Sequence, residues 1–428
     1  MNFFIAILGL IALAASAESG GVLKIPAQAY RMPPEVMAQR QHLFKNDLPR
    51  HVANYDEIRV NPKFQQAAAT SLQLNTTNYG IHYYYMYFAN ITIGTPAQTL
   101  TVEIDPWYDQ ELCVLGTGVD EKSLNTDELP PKKVYDKSQS SSYVDIGKNF
   151  SMAACGRGQN GTDVVNVGEV STAVTFGIAQ NASSYLKLLP SDGILGINPM
   201  PPFNNSQNAI SQLLSGLDSP VMTWWQNETY WGFNATLPVA QLTLGAEDID
   251  HCKSSYVYVP RVTNIKSYDR FYPVHLTTAV ISEGTPEDQI DTRFEINATL
   301  NMRHNQYRIY SPRSFFYALT NATNAVYNST VWEYVVDCDL SKHKDIVLNI
   351  GGSGFTEDET SRQIVLSPAE YIYYWSYYRV CYLSAFVSGG ENGVVELPQK
   401  FLNNHCLAYN AKEDMIGFSE VKQKKLDI

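Results

Sequence analysis

From Tyr79 onward the chain is written in short runs of β-branched and aromatic residues that Gly, Pro and Asn keep interrupting. YYYMYFANITIG, TLTVEI, VNVGEVSTAVTFGI, AQLTLG and YVYVP are examples. Runs of this length, with turn residues between them, predict an all-β chain assembled as sandwiches or barrels. Helical signals are few: SQLLSGL, and SPRSFFYALTNATNA, where Ser311 and Pro312 stand as N-cap and first helical residue. A second β-rich half follows the turn region Gly245–Asp250, and 428 residues suffice for two lobes with a core. Residues 18 to about 70 differ, carrying basic, helix-favouring stretches such as EVMAQRQHLFKN and little β pattern.

The N-terminus reads as an export signal. Phe3 to Ala15 is almost wholly apolar, and Ala15-Ser16-Ala17 offers a small-residue cleavage site before Glu18. Residues 1–17 are therefore expected to be removed, and the product to reach the extracellular space, a gut lumen or a lysosome. No later segment reaches the apolar length of a transmembrane helix. A net charge of -12 speaks against nucleic acid or an anionic membrane as partner. N-x-[ST] sequons stand at Asn75, Asn90, Asn149, Asn160, Asn181, Asn204, Asn227, Asn234, Asn297, Asn321 and Asn328, so an exported chain is expected to carry glycan at some of them. The six cysteines form no close C-x-x-C pair, which in an oxidising compartment predicts three disulfides rather than zinc. The eight histidines show no ligand spacing, and no cofactor or metal is expected.

The order of motifs resembles the pepsin-like aspartic peptidase family. YYYMYFANITIGTPAQTLTVEIDPWYD is similar to the opening of that family's mature domain, and SDGILGI to the segment that crosses behind its first catalytic loop. QLTLGAEDIDHC resembles the entry to the second lobe; YVVDC and FLNNHCLAYNAKEDMIGFS resemble the C-terminal strands. GVLKIPAQAYRMPPEVMAQR is similar to the start of an inhibitory propeptide, and the likeness is greatest to secreted nematode-type members, which carry Cys at the place of Cys406. The resemblance implies a bilobal fold: a propeptide-like segment at 18–70, an N-terminal lobe at 71–247 and a C-terminal lobe at 248–428. It also implies a cleft between the lobes for a peptide or protein ligand, and a monomer.

Family chemistry needs two carboxylates that share one proton, because like charges so close cannot both ionise. Each sits in a D-T/S-G loop, with the hydroxyl bracing the loops and the glycine allowing close backbone approach. Asp105 matches the first carboxylate. The next two positions, however, are Pro106, with neither hydroxyl nor N–H, and Trp107, where glycine is expected. Counting back from SPRSFFYALTNATNA and Cys338 puts Arg303 at the second catalytic position; counting forward from Val259-Pro260 puts Asp291 there. VVELPQKFLNNHC aligns with the loop behind that site and sets Glu396 and Pro398 where Ile and Gly are expected.

NFSMAACGRGQNG resembles the flap hairpin, and Cys155 falls on the flap Tyr. Cys113 falls on the Trp that this Tyr meets, so the resemblance implies a Cys113–Cys155 disulfide, with Cys338–Cys381 and Cys252–Cys406 completing the set. Gly156, Gly158 and Gly161 read as hairpin glycines, and the aromatics of Tyr371–Tyr382 as strand packing. These features together predict a binding or scaffolding relative without catalysis. The alternative is an acid endopeptidase working with a deviant Asp105/Asp291 dyad.

Overall fold

The computed structural model describes residues 23–31, 85–109, 111–119, 124, 131–168, 170–199, 208–227, 239–263, 272–283, 290–303, 308–352, 362–375, 378–387 and 393–422. Within them, the side chains of 23–31, 85–86, 107–109, 227, 239, 282–283, 290–303 and 399–400 lie outside the description. The signal-like residues 1–17 and the helix-favouring stretch 35–46 also lie outside it.

The first half runs β1 (Leu23–Arg31), β2 (Tyr85–Ile93), β3 (Gln98–Asp109), β4 (Leu112–Leu115), β5 (Val144–Met152), β6 (Gly156–Val167), β7 (Val170–Ala182), β8 (Gly193–Asn198), β9 (Val221–Asn227) and β10 (Val239–Leu244). The second half continues with β11 (Val257–Pro260), β12 (Val274–Glu283), β13 (Ile290–Arg303), β14 (Ile309–Ser311), β15 (Val326–Asn328), β16 (Glu333–Val336), β17 (Ile346–Ile350) and β18 (Arg362–Leu366). It closes with β19 (Ile372–Trp375), β20 (Val380–Leu383), β21 (Ala385–Val387), β22 (Val394–Pro398), β23 (His405–Asn410) and β24 (Met415–Glu420). The all-β expectation holds.

One 13-stranded sheet takes the order β11-β24-β23-β9-β10-β1-β2-β3-β8-β4-β7-β6-β5, and a further β2–β6 pairing closes its barrel. A 7-stranded sheet, β18-β17-β12-β13-β22-β14-β21, and a 4-stranded sheet, β15-β16-β20-β19, build the second lobe. Residue periodicity explains where each strand sits. In β6, Gly161, Asp163, Val165 and Val167 are buried while their neighbours are half-buried, the period of a strand with one covered face. Every residue of β8 is buried, so GILGIN is a central strand covered on both faces. Tyr373 and Tyr382 are buried strand residues and Tyr371 is buried at the end of a short helix, whereas Tyr374 and Tyr378 face solvent.

Among the described residues, four α-helices cover the sheets: α1 (Ser184–Lys187), α2 (Ala209–Ser215), α3 (Arg313–Ala322) and α4 (Pro368–Tyr371). Asn208 caps α2 by accepting from the Ser211 N–H at 2.8 Å. The expected Ser311 N-cap of α3 is displaced by one residue. Ser311 belongs to the β14 ladder, so Pro312, with extended ψ of 151°, becomes the cap position and Arg313 the first helical residue. Among the described residues, no helix is long and apolar enough to cross a membrane.

A buried carboxylate ties the segment after residue 130 to β6. Asp163 accepts from the hydroxyls of Ser142 at 2.5 Å and of Tyr135, and from the Val164 N–H at 2.7 Å. Burial alone would raise this carboxyl, but the Ser142, Tyr135 and Ser140 hydroxyls and the Val164 N–H outweigh it and hold it below its ordinary value. A carboxyl depressed by folding stabilises the fold above its unfolded value and loses that contribution as pH falls through the folded one. Asp163→Asn is therefore expected to lower the urea midpoint at neutral pH and to flatten its fall below about pH 4. Midpoints of both proteins measured across the acid range check this; parallel curves would refute it.

Candidate functional site

The two lobes repeat one strand pattern. In the first, β3 runs parallel to β8, β8 antiparallel to β4, and β4 parallel to β7. In the second, β13 runs parallel to β22, β22 antiparallel to β14, and β14 parallel to β21. The register of the two copies can be read side by side. Asp105 faces Gly196 in the first, and Arg303 faces Pro398 in the second. Ile194, two residues before Gly196, faces Cys113; Glu396, two before Pro398, faces Tyr310. Asp291 faces Ser282, one step from the Glu283–Ile290 end of the β12–β13 hairpin. Twelve steps (303 − 291) separate it from Arg303 along β13, about 40 Å of extended strand. The side chains of Asp291 and Arg303 lie outside the description.

Asp105 is 1% exposed. It does not open a tight loop, because β3 continues as strand to Asp109. Asp105 faces Gly196 and Asp109 faces Asn198, so four steps along β3 match two along β8. Two extra residues are thus bulged out directly after Asp105. Pro106 is buried and has no N–H to offer the ladder, which is where a strand bulges rather than pairs.

The β5–β6 hairpin is fastened at its tip. Cys155, at the tip, is bonded to Cys113 of β4, and both are fully buried. The Cys155 carbonyl accepts from the Ser183 N–H at 2.9 Å, and Ser183 Oγ donates to the Ala154 carbonyl. The β6–β7 ladder runs the whole length of the hairpin, ending with Gly156 opposite Ala182. Backbone lies directly on backbone there: a Cβ at Gly158 would stand 1.9 Å from the Ile178 carbonyl oxygen, and one at Gly156 2.1 Å from that of Asn181. Beneath the tip, Phe88, Phe150, Met152, Tyr185, Leu189 and Ile194 close a separate apolar cluster around the disulfide.

The sequence profile described as eukaryotic aspartyl protease matches residues 86–421. The chain belongs to the eukaryotic aspartyl protease family. It is 28% identical over 381 residues to Aspartic protease 1 of Caenorhabditis elegans, a match covering 84% of this chain and 89% of that one. Syncephapepsin of Syncephalastrum racemosum is 22% identical over 378 residues, covering 83% and 86% respectively. Aspartic protease 10 of Caenorhabditis elegans is 24% identical over 428 residues, covering 90% and 93%.

In this family member, disulfides join Cys113–Cys155, Cys252–Cys406 and Cys338–Cys381, the three pairs that the resemblance implied. Among the described sequon residues, Asn90, Asn149, Asn181, Asn321 and Asn328 are exposed and Asn160 is half-buried. Asn75, Asn204 and Asn234 lie outside the described residues, as do the side chains of Asn227 and Asn297.

Three residues around Asp105 were not singled out from the sequence. Tyr272 reaches from the second lobe and is fully buried. Its hydroxyl donates to the Ile197 carbonyl at 2.9 Å and its N–H to Asn198 Oδ1 at 3.4 Å, gripping the end of β8 beside Asp105. Burial pushes its hydroxyl well above the ordinary value, and the Asp105 carboxylate adds to that. Its φ of 52° lies in the left-handed region, a strained choice for a bulky residue that surrounding structure enforces. Glu103 shares the strand face of Asp105 and is 2% exposed; Tyr185 Oη lies 3.1 Å from both of its carboxylate oxygens. The alternation in V-E-I-D, with Val102 and Ile104 in the main core, carries the signal for Glu103. Nothing local in the sequence marks Tyr272.

Behind the second strand pattern, Arg308 forks onto Glu333 with contacts of 2.8 and 2.5 Å. The guanidinium lies 4.2 Å from the Phe386 ring centroid and 5.3 Å from that of Tyr382. This pair anchors the chain five residues beyond Arg303 to the 4-stranded sheet.

Proposed function

We propose that this protein is a secreted, catalytically inactive aspartic protease homologue that binds a peptide or protein in the cleft between its lobes, as a monomer. The register that sets Arg303 against Pro398 as Asp105 is set against Gly196 carries this reading. It favours Arg303 over Asp291 for the second catalytic position. A guanidinium there supplies a fixed positive charge in place of a carboxylate, so no proton is shared across the site. The bulge at Pro106 supports the same reading, because a strand extension replaces the turn that would brace the first carboxylate. The fastened hairpin adds a third support, since substrate entry in a peptidase needs a closing element that moves.

Secretion and glycosylation belong to the same proposal. Three disulfides suit an oxidising compartment, and the exposed Asn90, Asn149, Asn181, Asn321 and Asn328 leave room for glycan.

The test is proteolysis of denatured globin by purified, glycosylated protein at acidic pH, with and without pepstatin. No pepstatin-sensitive cleavage is expected, and Asp105→Asn is expected to change nothing in the assay. Pepstatin-sensitive cleavage that Asp105→Asn abolishes would overturn the proposal and restore the endopeptidase reading.

A further inference from the structure

Helix α3 carries an aromatic ring on the face where its pattern calls for polar residues. Phe315, Phe316, Ala318 and Leu319 are buried, and the exposed residues are Arg313, Ser314, Tyr317 and Asn321. Arg313, Tyr317 and Asn321 follow at intervals of four, forming one stripe along the solvent side. The Tyr317 ring meets that of Phe316 edge to face, with centroids 5.8 Å apart, and the residue remains 50% exposed.

Asn321 is the acceptor of the sequon Asn321-Ala322-Thr323. Four residues of α-helix advance about 6 Å and return to the same face. Helical side chains also lean toward the N-terminus, so a group extending from Asn321 lies over the turn that holds Tyr317. One face of a pyranose presents C–H bonds, and the face of a phenol ring is electron-rich. The two therefore stack while their hydroxyls stay in water. In the folded chain the Thr323 hydroxyl donates to the Leu319 carbonyl at 2.7 Å, which places attachment of sugar before the end of α3 closes.

We infer that the solvent face of α3 is a seat for the chain's own N-glycan, the first sugar on Asn321 stacking on Tyr317. This rests on the secretion and glycosylation reading above and adds where the sugar goes. The link forms when the Asn321 amide nitrogen displaces pyrophosphate from an activated oligosaccharide and gives up one proton. The strand β15 supplies the contrast. Asn328 is also an exposed sequon residue, and Tyr327 beside it is 48% exposed. Neighbours on a strand point to opposite faces, so a glycan on Asn328 starts on the far side from Tyr327. The Asn321 glycan covers a ring, and the Asn328 glycan leaves its neighbour bare.

The experiment uses the full chain secreted from a glycosylating host, with occupancy of Asn321 and Asn328 read by peptide mass spectrometry. Folded protein is compared with whole glycans, trimmed by an endoglycosidase to a single N-acetylglucosamine, and stripped by a peptide amidase. Nitration by tetranitromethane is then followed tyrosine by tyrosine. Tyr317 is expected to react about fivefold more slowly in the first two states than in the third, the protection that an ordinary ring-face contact gives. Asn321→Gln, which keeps a good helix former in place, is expected to match the stripped protein at Tyr317. Tyr327 is expected to react alike in every state. Equal Tyr317 rates in all three states with Asn321 occupied would overturn the inference and leave the glycosylation reading standing. That outcome includes a ring kept slow without sugar because a second copy covers it. An unoccupied Asn321 overturns the inference too, and sequons unoccupied throughout overturn the glycosylation reading with it.

Discussion

Replacing both Cys113 and Cys155 with Ala is expected to lower the free energy of unfolding by about 4 kcal/mol, the chain-entropy cost of opening a loop of roughly forty residues. The bridge spans 42 positions, from β4 to the tip of the β5–β6 hairpin. Both cysteines are fully buried, so alanine leaves only small voids, and loop entropy is the dominant loss. Two effects are separable. The urea midpoint reports the global loss, and limited proteolysis between Met152 and Gly156 reports local opening. The ladder of β6 on β7 and the bond from Ser183 to the Cys155 carbonyl remain in the variant. If those contacts alone hold the tip, cleavage there will stay as slow as in the parent, and the disulfide is then a stabiliser without a role in holding the hairpin shut. An unchanged midpoint would refute the larger claim.

Glu333→Ala is expected to cost about 3–5 kcal/mol, because it strips a buried guanidinium of its bidentate carboxylate. Arg308 is 7% exposed and sits against Phe386 and Tyr382, where water cannot replace the lost partner. Removing both charges is a different matter. Arg308→Met with Glu333→Leu exchanges an ion pair for apolar volume, and such swaps are often neutral or stabilising. A double-mutant cycle on urea unfolding thus separates the worth of the pair from the penalty of breaking it. If Glu333→Ala unfolds at the same midpoint as the parent, the pair is solvated in solution and the buried anchor is not real.

These two sites illustrate how unevenly the sequence exposes its own structure. The disulfide could be placed because Cys113 and Cys155 fall on two positions that touch in the family, so a resemblance carried a distance that spacing alone does not contain. The Arg308–Glu333 pair had no such guide. Twenty-five positions separate the partners, and a charge among aromatics reads as well for a solvated loop as for a buried fork. Asp163 was hidden in the same way: nothing in T-D-V-V distinguishes a carboxylate that collects three hydroxyls from one facing water. Glu103 was legible in retrospect, since a charge at an alternating position beside Asp105 belongs to the same face. The α3 cap was misplaced by one residue because Ser311 was claimed by a strand, a long-range pairing that overrides a local helix-start signal.

The sequence by itself determined the class of fold and the residues in doubt. Short β-branched and aromatic runs between turn residues favour strands, which pair their backbone polar groups in sheets, and Asp105-Pro106-Trp107 cannot make a hydroxyl-braced, glycine-tight turn whatever surrounds it. Tertiary structure decided the rest. Counting along the chain left Arg303 and Asp291 both open, because loops of unknown length separate every anchor. The strand register sets Arg303 opposite Pro398 as it sets Asp105 opposite Gly196, while Asp291 lies at the hairpin end of the same strand. Equally, only the fold brings Tyr272 from the second lobe onto the carbonyl of Ile197 next to Asp105. Local sequence fixes what a residue is able to do, but which groups meet is set by pairing between segments far apart in the chain.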